Sequence, residues 1–260
     1  MSQPAGTDNI LELTNLSKRF GGLLAVDNVS LHIKRGEVFA LIGPNGAGKT
    51  TLFNNVTGLF QPTSGSVVFD GRDITGSRPH TVARLGIART FQNIRLFSYM
   101  SSLDNVRVGR HVRMHAKLWD SLLKLPAERR EEDRVTEEAM DLLNFVGIAK
   151  QANHYARNLP YGQQRRLEIA RALATDPKLL LLDEPAAGFT PQEKVELMRL
   201  VEKILDRGIT VFLIEHDMKL VMGISQRIVV LDHGEKIAEG PPEEVRKDAR
   251  VIEAYLGKSA

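Results

Sequence analysis

The sequence predicts an α/β fold: a mainly parallel sheet covered by helices on both faces and interrupted by a helical insertion. Three observations predict it. Short apolar strands alternate with helical stretches on both sides of the middle of the chain. A glycine-rich loop joins one of those strands to the helix after it. From about 93 to 157 β-branched runs become few, and LDNVRVGRHV, KLWDSLLKL and RREEDRVTEEAMDLLNFVGI read as mainly helical.

Taken in order, residues 10–42 alternate apolar and polar positions as strands do, in ILELTNL, VSLHI and EVFALI. EVFALI runs into GPNGAGKTT, and TLFNNVTG follows with helical character. The turns PTSG and DGR bracket a short strand, SVVF. After the insertion the alternation resumes with strand KLLLLD (178–183), helix QEKVELMRLVEKILDRG and strand ITVFLIE. A hairpin-like pair, QRIVVLD and EKIAEG, and a short helical tail complete the chain. No internal repeat or low-complexity segment is present, so this is one domain copy and not a tandem.

Composition narrows the function. The 260 residues are 42% hydrophobic and 26% charged, an ordinary globular balance. Thirty-five basic residues face 32 acidic ones for a net charge of +3, with no long basic block, so no nucleic-acid partner is expected. There is no cysteine, which excludes disulfides and thiolate metal sites and fits a reducing compartment. The start, MSQPAGTDNILEL, does not read as a secretory signal, and runs such as LLLL at 179–182 are far too short to span a bilayer. If the protein works at a membrane, it is expected to do so by docking on something else.

GPNGAGKT at 43–50 matches G-x-x-x-x-G-K-[ST], between a buried strand and a helix as that motif requires. Its glycines let backbone N–H groups converge on phosphates, and the helix N-terminus adds a favourable dipole. The binding candidates are Gly43, Pro44, Asn45, Gly46, Ala47, Gly48, Lys49, Thr50 and Thr51. Lys49 would neutralise the β- and γ-phosphates, and Thr50 would offer its hydroxyl to Mg²⁺. LLLLDEP supplies Asp183, a metal candidate acting through a water, and Glu184, a candidate base for the attacking water. The plain alternative for this acidic pair is an N-cap of the next helix.

His216, in LIEHD, follows another apolar strand and could reach the γ-phosphate as a donor, although a histidine at a strand end is usually structural. Gln92, in RTFQN, could ligate Mg²⁺ or the water and report the γ-phosphate to the insertion. NLPYGQQRR at 158–166 is open to two readings, a phosphate contact or a basic helix. Leu167, Ala170, Leu173 and Ala174 form an apolar stripe from which Arg165, Arg166 and Arg171 are mostly displaced, which places the arginines on a solvated or interface face.

The order glycine loop, Gln92, NLPYGQQ, LLLLDEP, His216 resembles the ATP-binding-cassette (ABC) ATPases. The resemblance implies an α/β P-loop NTPase core with an antiparallel β subdomain and an inserted α-helical subdomain at about 93–175, the whole chain forming one nucleotide-binding domain. It assigns the signature to Leu159, Pro160, Tyr161, Gly162 and Gln163, where Leu159, Gly162 and Gln163 would contact the nucleotide held by a second ATPase subunit. Phe20, in SKRFGG, matches the aromatic that stacks on adenine, with Val26 nearby. The chain departs from the family at Pro160 and Tyr161, where serine and glycine are usual, and at Ala187 and Thr190, where serine and aspartate are usual.

RFGGLLAVDNVS, RTFQNIRLF, LPYGQQRRLEIARALA, LDEPAAGFTPQE and IEHDMKLVMGIS together are similar to the LivG-type ATPases of branched-chain amino-acid importers. That likeness implies ATP and Mg²⁺ as ligands and a position at the cytoplasmic face of the inner or plasma membrane. It also implies a second ATPase subunit, two transmembrane permease subunits and, indirectly, a substrate-binding protein. Asn93, Leu96, Phe97 and Met100 would offer the permease an apolar surface or pack within the insertion. The competing readings are a cassette for another cargo, such as lipid export or amides, and a soluble cassette ATPase acting on nucleic acid or ribosomes. His111 and His115 have i,i+4 spacing but lack the glutamate of a zinc protease. Trp119 reads as packing and ERREEDR as a solvated helix face.

Overall fold

The structure, a computed structural model, describes residues 8–110 and 126–256. His111, His115, Trp119 and the stretch KLWDSLLKL lie outside the described residues. The chain divides into two compact units, one formed by Met1–Ile87 with Lys178–Ala260 and the other by Ala88–Pro177.

The first unit contains an antiparallel sheet built from β1 (Asn9–Phe20), β2 (Leu23–Lys34), β4 (Ser64–Phe69) and β5 (Arg72–Asp73), in the order β2-β1-β4-β5. The turn between β4 and β5 places Asp70 and Gly71 at φ of 51° and 74°, the pair of positive values that a tight hairpin needs. Asp70 also pairs with Lys178 and with Arg35, so the turn is fastened to two other segments of the same unit.

The second sheet has the order β10-β9-β3-β8-β7-β6, from β3 (Val38–Ile42), β6 (Ile87–Arg89), β7 (Leu179–Asp183), β8 (Thr210–Ile214), β9 (Arg227–Asp232) and β10 (Glu235–Gly240). β3 pairs in parallel with β8 and β9, β7 pairs in parallel with β8, and β10 closes the edge as an antiparallel hairpin on β9. Every residue of β3, β7 and β8 is buried, as a sheet covered on both faces requires. The two-residue period of these strands separates two cores. Phe39, Leu41, Phe212, Ile214, Val229 and Leu231 join the larger cluster, whereas Ala40, Ile42, Ile228 and Val230 join the smaller. In the larger one the Phe212 ring lies 4.6 Å from that of Phe53 and 5.5 Å from that of Phe39.

The helices of this unit are α1 (Lys49–Val56), α2 (Pro79–Leu85), α6 (Pro191–Asp206), α7 (Met218–Ile224), α8 (Pro242–Val245) and α9 (Ala249–Leu256). The second unit carries α3 (Ser102–Arg110), α4 (Pro126–Phe145) and α5 (Tyr161–Leu173). α3 and α5 approach so closely that a Cβ on Gly109 would lie 2.4 Å from the Arg171 carbonyl oxygen. Short elements that the sequence reading did not assign are α2, β5, β6 and α7. Each is seven residues or fewer, too short for a periodic signal to emerge.

Candidate nucleotide site

β3, β7 and β8 are parallel neighbours, with Val38 and Leu180 both opposite Val211, so their carboxyl ends share one edge. From that edge β3 leads into the phosphate loop, β7 into Asp183 and Glu184, and β8 into Glu215 and His216. Topology, not proximity in sequence, brings these residues together in the first unit.

The loop is held close to its surroundings. Gly43 has φ 150°, and a Cβ there would lie 2.1 Å from the Leu231 carbonyl oxygen; at Gly48, φ 96°, it would lie 2.3 Å from that of Ala25. Only glycine fits either position. The turn of the β9–β10 hairpin braces the loop as well, since the Gly234 N–H donates to the Ala47 carbonyl at 3.1 Å and the Gly234 carbonyl accepts from Asp27 at 2.8 Å. α1 starts with no side-chain cap and no acidic residue in its first turn, which leaves its positive end available to an anion. Asn45, Gly46 and Thr50 are exposed, Gly43 and Ala47 are buried, and Pro44, Gly48, Lys49 and Thr51 lie between.

Lys49 Nζ donates to the carbonyls of Gly43 at 2.7 Å and Pro44 at 2.9 Å. Burial pulls its pKa below that of a free lysine, and the charges of Glu184 and then Asp183 oppose that fall. Asp183 is buried. Glu184 adopts a left-handed φ of 47°, while its N–H extends the ladder to the Ile214 carbonyl at 2.9 Å. A non-glycine residue in that region carries a strain of about 1–2 kcal/mol, a cost that recurs at functional turns. Glu184 is not the N-cap of the following helix. Thr190 takes that role, accepting from the Glu193 N–H in a full capping box.

His216 is largely exposed, and its Nδ1 lies 3.9 Å from Glu184 Oε2 and 3.9 Å from Glu215 Oε2. Glu215 was not singled out from sequence. It is 1% exposed, its Oε1 accepts from the Ala186 N–H at 2.8 Å, and its Oε2 accepts from the N–H groups of His216 at 3.0 Å and Asp217 at 3.3 Å. One buried carboxylate therefore ties the turn after Glu184 to the turn that carries His216. Its only sequence signal is an acid that follows a mostly apolar strand. Asp217 caps α7 and pairs with Lys194 of α6 at 2.5 Å, so that turn is fixed from both sides.

Tyr255 of α9 was also missed. Its hydroxyl meets the backbone of Gly43, burial raises its pKa, and the Gly43 contact works against that rise. Pro44, Asn45 and Ala47 share a cavity wall with Arg250, Glu253 and Ala254 of the same helix, which places the tail against the loop.

The aromatic platform differs from expectation in one respect. Phe20 stays 41% exposed, its ring edge-on to Phe60 at 5.2 Å and beneath Lys18 Nζ at 4.9 Å. Val26 is fully buried in the larger core and presents no side-chain surface to a ligand.

The second unit holds Gln92, exposed in a loop, and the NLPYGQQ segment. Pro160 is the N-cap of α5, one position before the first turn, and its carbonyl accepts from Gln163 at 2.9 Å and Gln164 at 3.0 Å. Leu159 is buried, so only its backbone is available, and its carbonyl takes the Gln164 side-chain amide at 2.8 Å. Gly162 and Gln163 are half-buried. Arg165, expected on a solvated face, is 3% exposed; four acceptors around its guanidinium make burial tolerable, and Tyr161 supplies one of them.

A family model described as ABC transporter matches residues 26–187, and one described as branched-chain amino acid ATP-binding cassette transporter matches residues 235–260. The chain is 48% identical, over 100% of both chains, to the high-affinity branched-chain amino acid transport ATP-binding protein LivG of Salmonella typhimurium. It is equally similar, 48% over 100% of both, to BraF of Pseudomonas aeruginosa. Among solved structures, the ADP conformation of an ATP-binding cassette of an ABC transporter superposes with a TM-score of 0.84, at 35% identity over 97% of this chain and 100% of that one. With the glycine loop, the β7 acid pair and His216 converging on one sheet edge, the chain belongs to the ABC transporter family, as an ATP-binding cassette that hydrolyses ATP.

Proposed function

We propose that this cassette energises the uptake of branched-chain amino acids, as the ATP-hydrolysing subunit of an importer. The observation that carries the chemical half is the convergence of Lys49, Asp183, Glu184 and His216 at the ends of three parallel strands. The cargo half is supported by full-length similarity to proteins named for branched-chain amino acid transport.

The residues divide the work by charge. Loop amides and the start of α1 receive the phosphates, and Lys49 leaves its two loop carbonyls to neutralise the β- and γ-phosphate oxygens. Phe20 keeps ring surface on which a base can stack, for about 1–3 kcal/mol. Glu184 accepts the proton of the attacking water as the new bond to the γ-phosphorus forms and the bond to the β-γ bridging oxygen breaks, releasing ADP and phosphate. His216 donates to a γ-phosphate oxygen, held in place by the Glu215 carboxylate beneath it.

Mg²⁺ fits the donors present. The Thr50 hydroxyl and the Asp183 carboxylate are hard oxygen donors beside the loop, and this ion keeps waters and substrate phosphates as its remaining ligands. Bound there with ATP, it would neutralise charge on the phosphate oxygens. Gln92 is proposed as a ligand of Mg²⁺ or of the attacking water by its place in the family's order of motifs, and Gly162 and Gln163 are proposed to face the nucleotide of a second ATPase subunit, a different chain by the importer reading.

Permease subunits are proposed to carry the cargo while this chain works peripherally at the cytoplasmic face, a reading supported by its similarity to transport ATP-binding proteins; no helix among the described residues is long and apolar enough to cross a membrane. Phe97 is 47% and Tyr99 76% exposed beside Gln92, which suits that loop to permease docking. The test is reconstitution of the chain with its co-purified permease and ATPase partners and a binding protein. ATP-dependent accumulation of radiolabelled leucine supports the cargo. ATP turnover stimulated only by a different cargo overturns it and leaves the ATPase standing.

A further inference from the structure

In the second unit a buried charge pair grips a backbone. Arg165 and Glu168 are 3% and 1% exposed and pair at 3.2 Å, one turn into α5. Arg165 Nη1 donates to the Phe91 carbonyl at 2.6 Å, and Nη2 donates to the Gln92 carbonyl. Glu168 Oε1 accepts from the N–H groups of Phe91 at 3.3 Å and Arg95 at 3.4 Å. Together the two side chains hold both ends of the loop that carries Gln92.

The fourth acceptor comes from an unexpected residue. The Tyr161 hydroxyl receives Arg165 Nε at 3.1 Å and Nη2 at 2.9 Å, and the guanidinium lies 5.4 Å from its ring centre. Tyr161 opens α5 at a position where the ABC family usually has glycine. Glycine could not make this contact. The tyrosine turns toward the arginine four residues on, along the helix face that i,i+4 neighbours share. Its tip closes a path of hydrogen bonds from the first turn of the signature helix, through Arg165, to the Gln92 carbonyl.

We propose that Tyr161, Arg165 and Glu168 are positioning residues that join the first turn of α5 to the Gln92 loop as one mechanical piece. A contact made at the start of α5 is then transmitted to the backbone that aims Gln92. Arginine is required because a lysine ammonium cannot serve two carbonyls, a hydroxyl and a carboxylate in one plane. The kinetic consequence rests on the ATPase reading above; the structural link does not.

Tyr161→Phe in the full chain, assembled with its partners, tests the link while keeping the ring. Hydrogen exchange should accelerate about three- to tenfold at the Phe91 and Arg95 amides, reflecting loss of a charge-assisted bond at an exposed tip. kcat for ATP should fall by about the same factor with KM unchanged, because aim and not affinity is lost. Arg165→Lys should be worse on both counts and not rescue. Unchanged exchange overturns the link whatever the activity does. Faster exchange with wild-type kcat, or with a changed KM and unchanged kcat, leaves the cluster a packing feature and also overturns the proposal. Melting at the wild-type temperature confirms that Tyr161→Phe is compared as a folded protein.

Discussion

Replacing Glu215 with glutamine removes one charge and almost no volume from beneath the catalytic edge. The carboxylate serves three backbone donors, Ala186 through Oε1 and His216 and Asp217 through Oε2, in a nearly water-free setting. Glutamine has one acceptor oxygen, so its NH₂ group must face either Ala186 or the His216–Asp217 pair, donor against donor. At least one charge-assisted bond is lost and a buried N–H is stranded, about 1.5–3 kcal/mol. If that energy holds the two turns in their working geometry, kcat should fall about ten- to a hundredfold, at 1.36 kcal/mol per decade. The melting temperature of a chain this size should fall by about 2–4 °C for each kcal/mol. The assay is steady-state phosphate release with scanning calorimetry on the same preparation. A Glu215→Gln protein within twofold of wild-type kcat and melting at the same temperature would refute the reasoning.

Three further outcomes follow from neighbouring contacts. Tyr255→Phe removes the hydroxyl that meets Gly43, a neutral bond of about 0.5–1.5 kcal/mol, and should raise the KM for ATP about two- to tenfold with little change in melting temperature; an unchanged KM would separate the tail from the loop. Lys49→Ala should abolish measurable ATP binding by fluorescent-nucleotide titration, since no other cation of the loop can replace it. Asp70 is held below the usual carboxylate range first by Lys178 and then by Arg35, so its contribution to stability is present above the unfolded value of about 3.9 and is lost as pH falls through the lower folded value. Asp70→Asn should therefore melt below wild type at pH 7, by an amount matching about 0.5–1 kcal/mol for so exposed a group, and the two curves should converge in acid.

Much of the site could be read from residues alone because its signals are local. The glycine loop announces itself within eight positions, and LLLLD ends in the acid pair that the parallel register carries to Lys49. The strands of the parallel sheet were legible for a similar reason, being short runs that are mostly apolar. What stayed hidden depends on contacts remote in sequence. Glu215 reads as one more acid beside a histidine until Ala186, 29 residues away, donates to it. Tyr255 lies more than two hundred positions from Gly43.

Helical periodicity misplaced Arg165 because it weighs hydrophobicity alone. The apolar stripe of α5 does face inward, but Arg165 and Glu168 neutralise each other and spend their remaining hydrogen bonds on the Gln92 loop, so both can be buried. Val26 and Leu159 were placed at the nucleotide by motif position, whereas their side chains serve the cores. A motif fixes where the backbone goes more firmly than where each side chain points. Thr190 shows the same: standing where the family usually has aspartate, it caps α6.

The central claim is that Glu184 is the base and the surrounding loop the binding site, and Glu184→Gln tests both in one preparation. Glutamine keeps the shape and the left-handed turn but cannot take the water's proton. ATP bound per chain and phosphate released per minute would be measured together, with Mg²⁺ present. The account predicts wild-type or tighter ATP binding with turnover reduced by about a hundredfold or more. Turnover at the wild-type rate would contradict it.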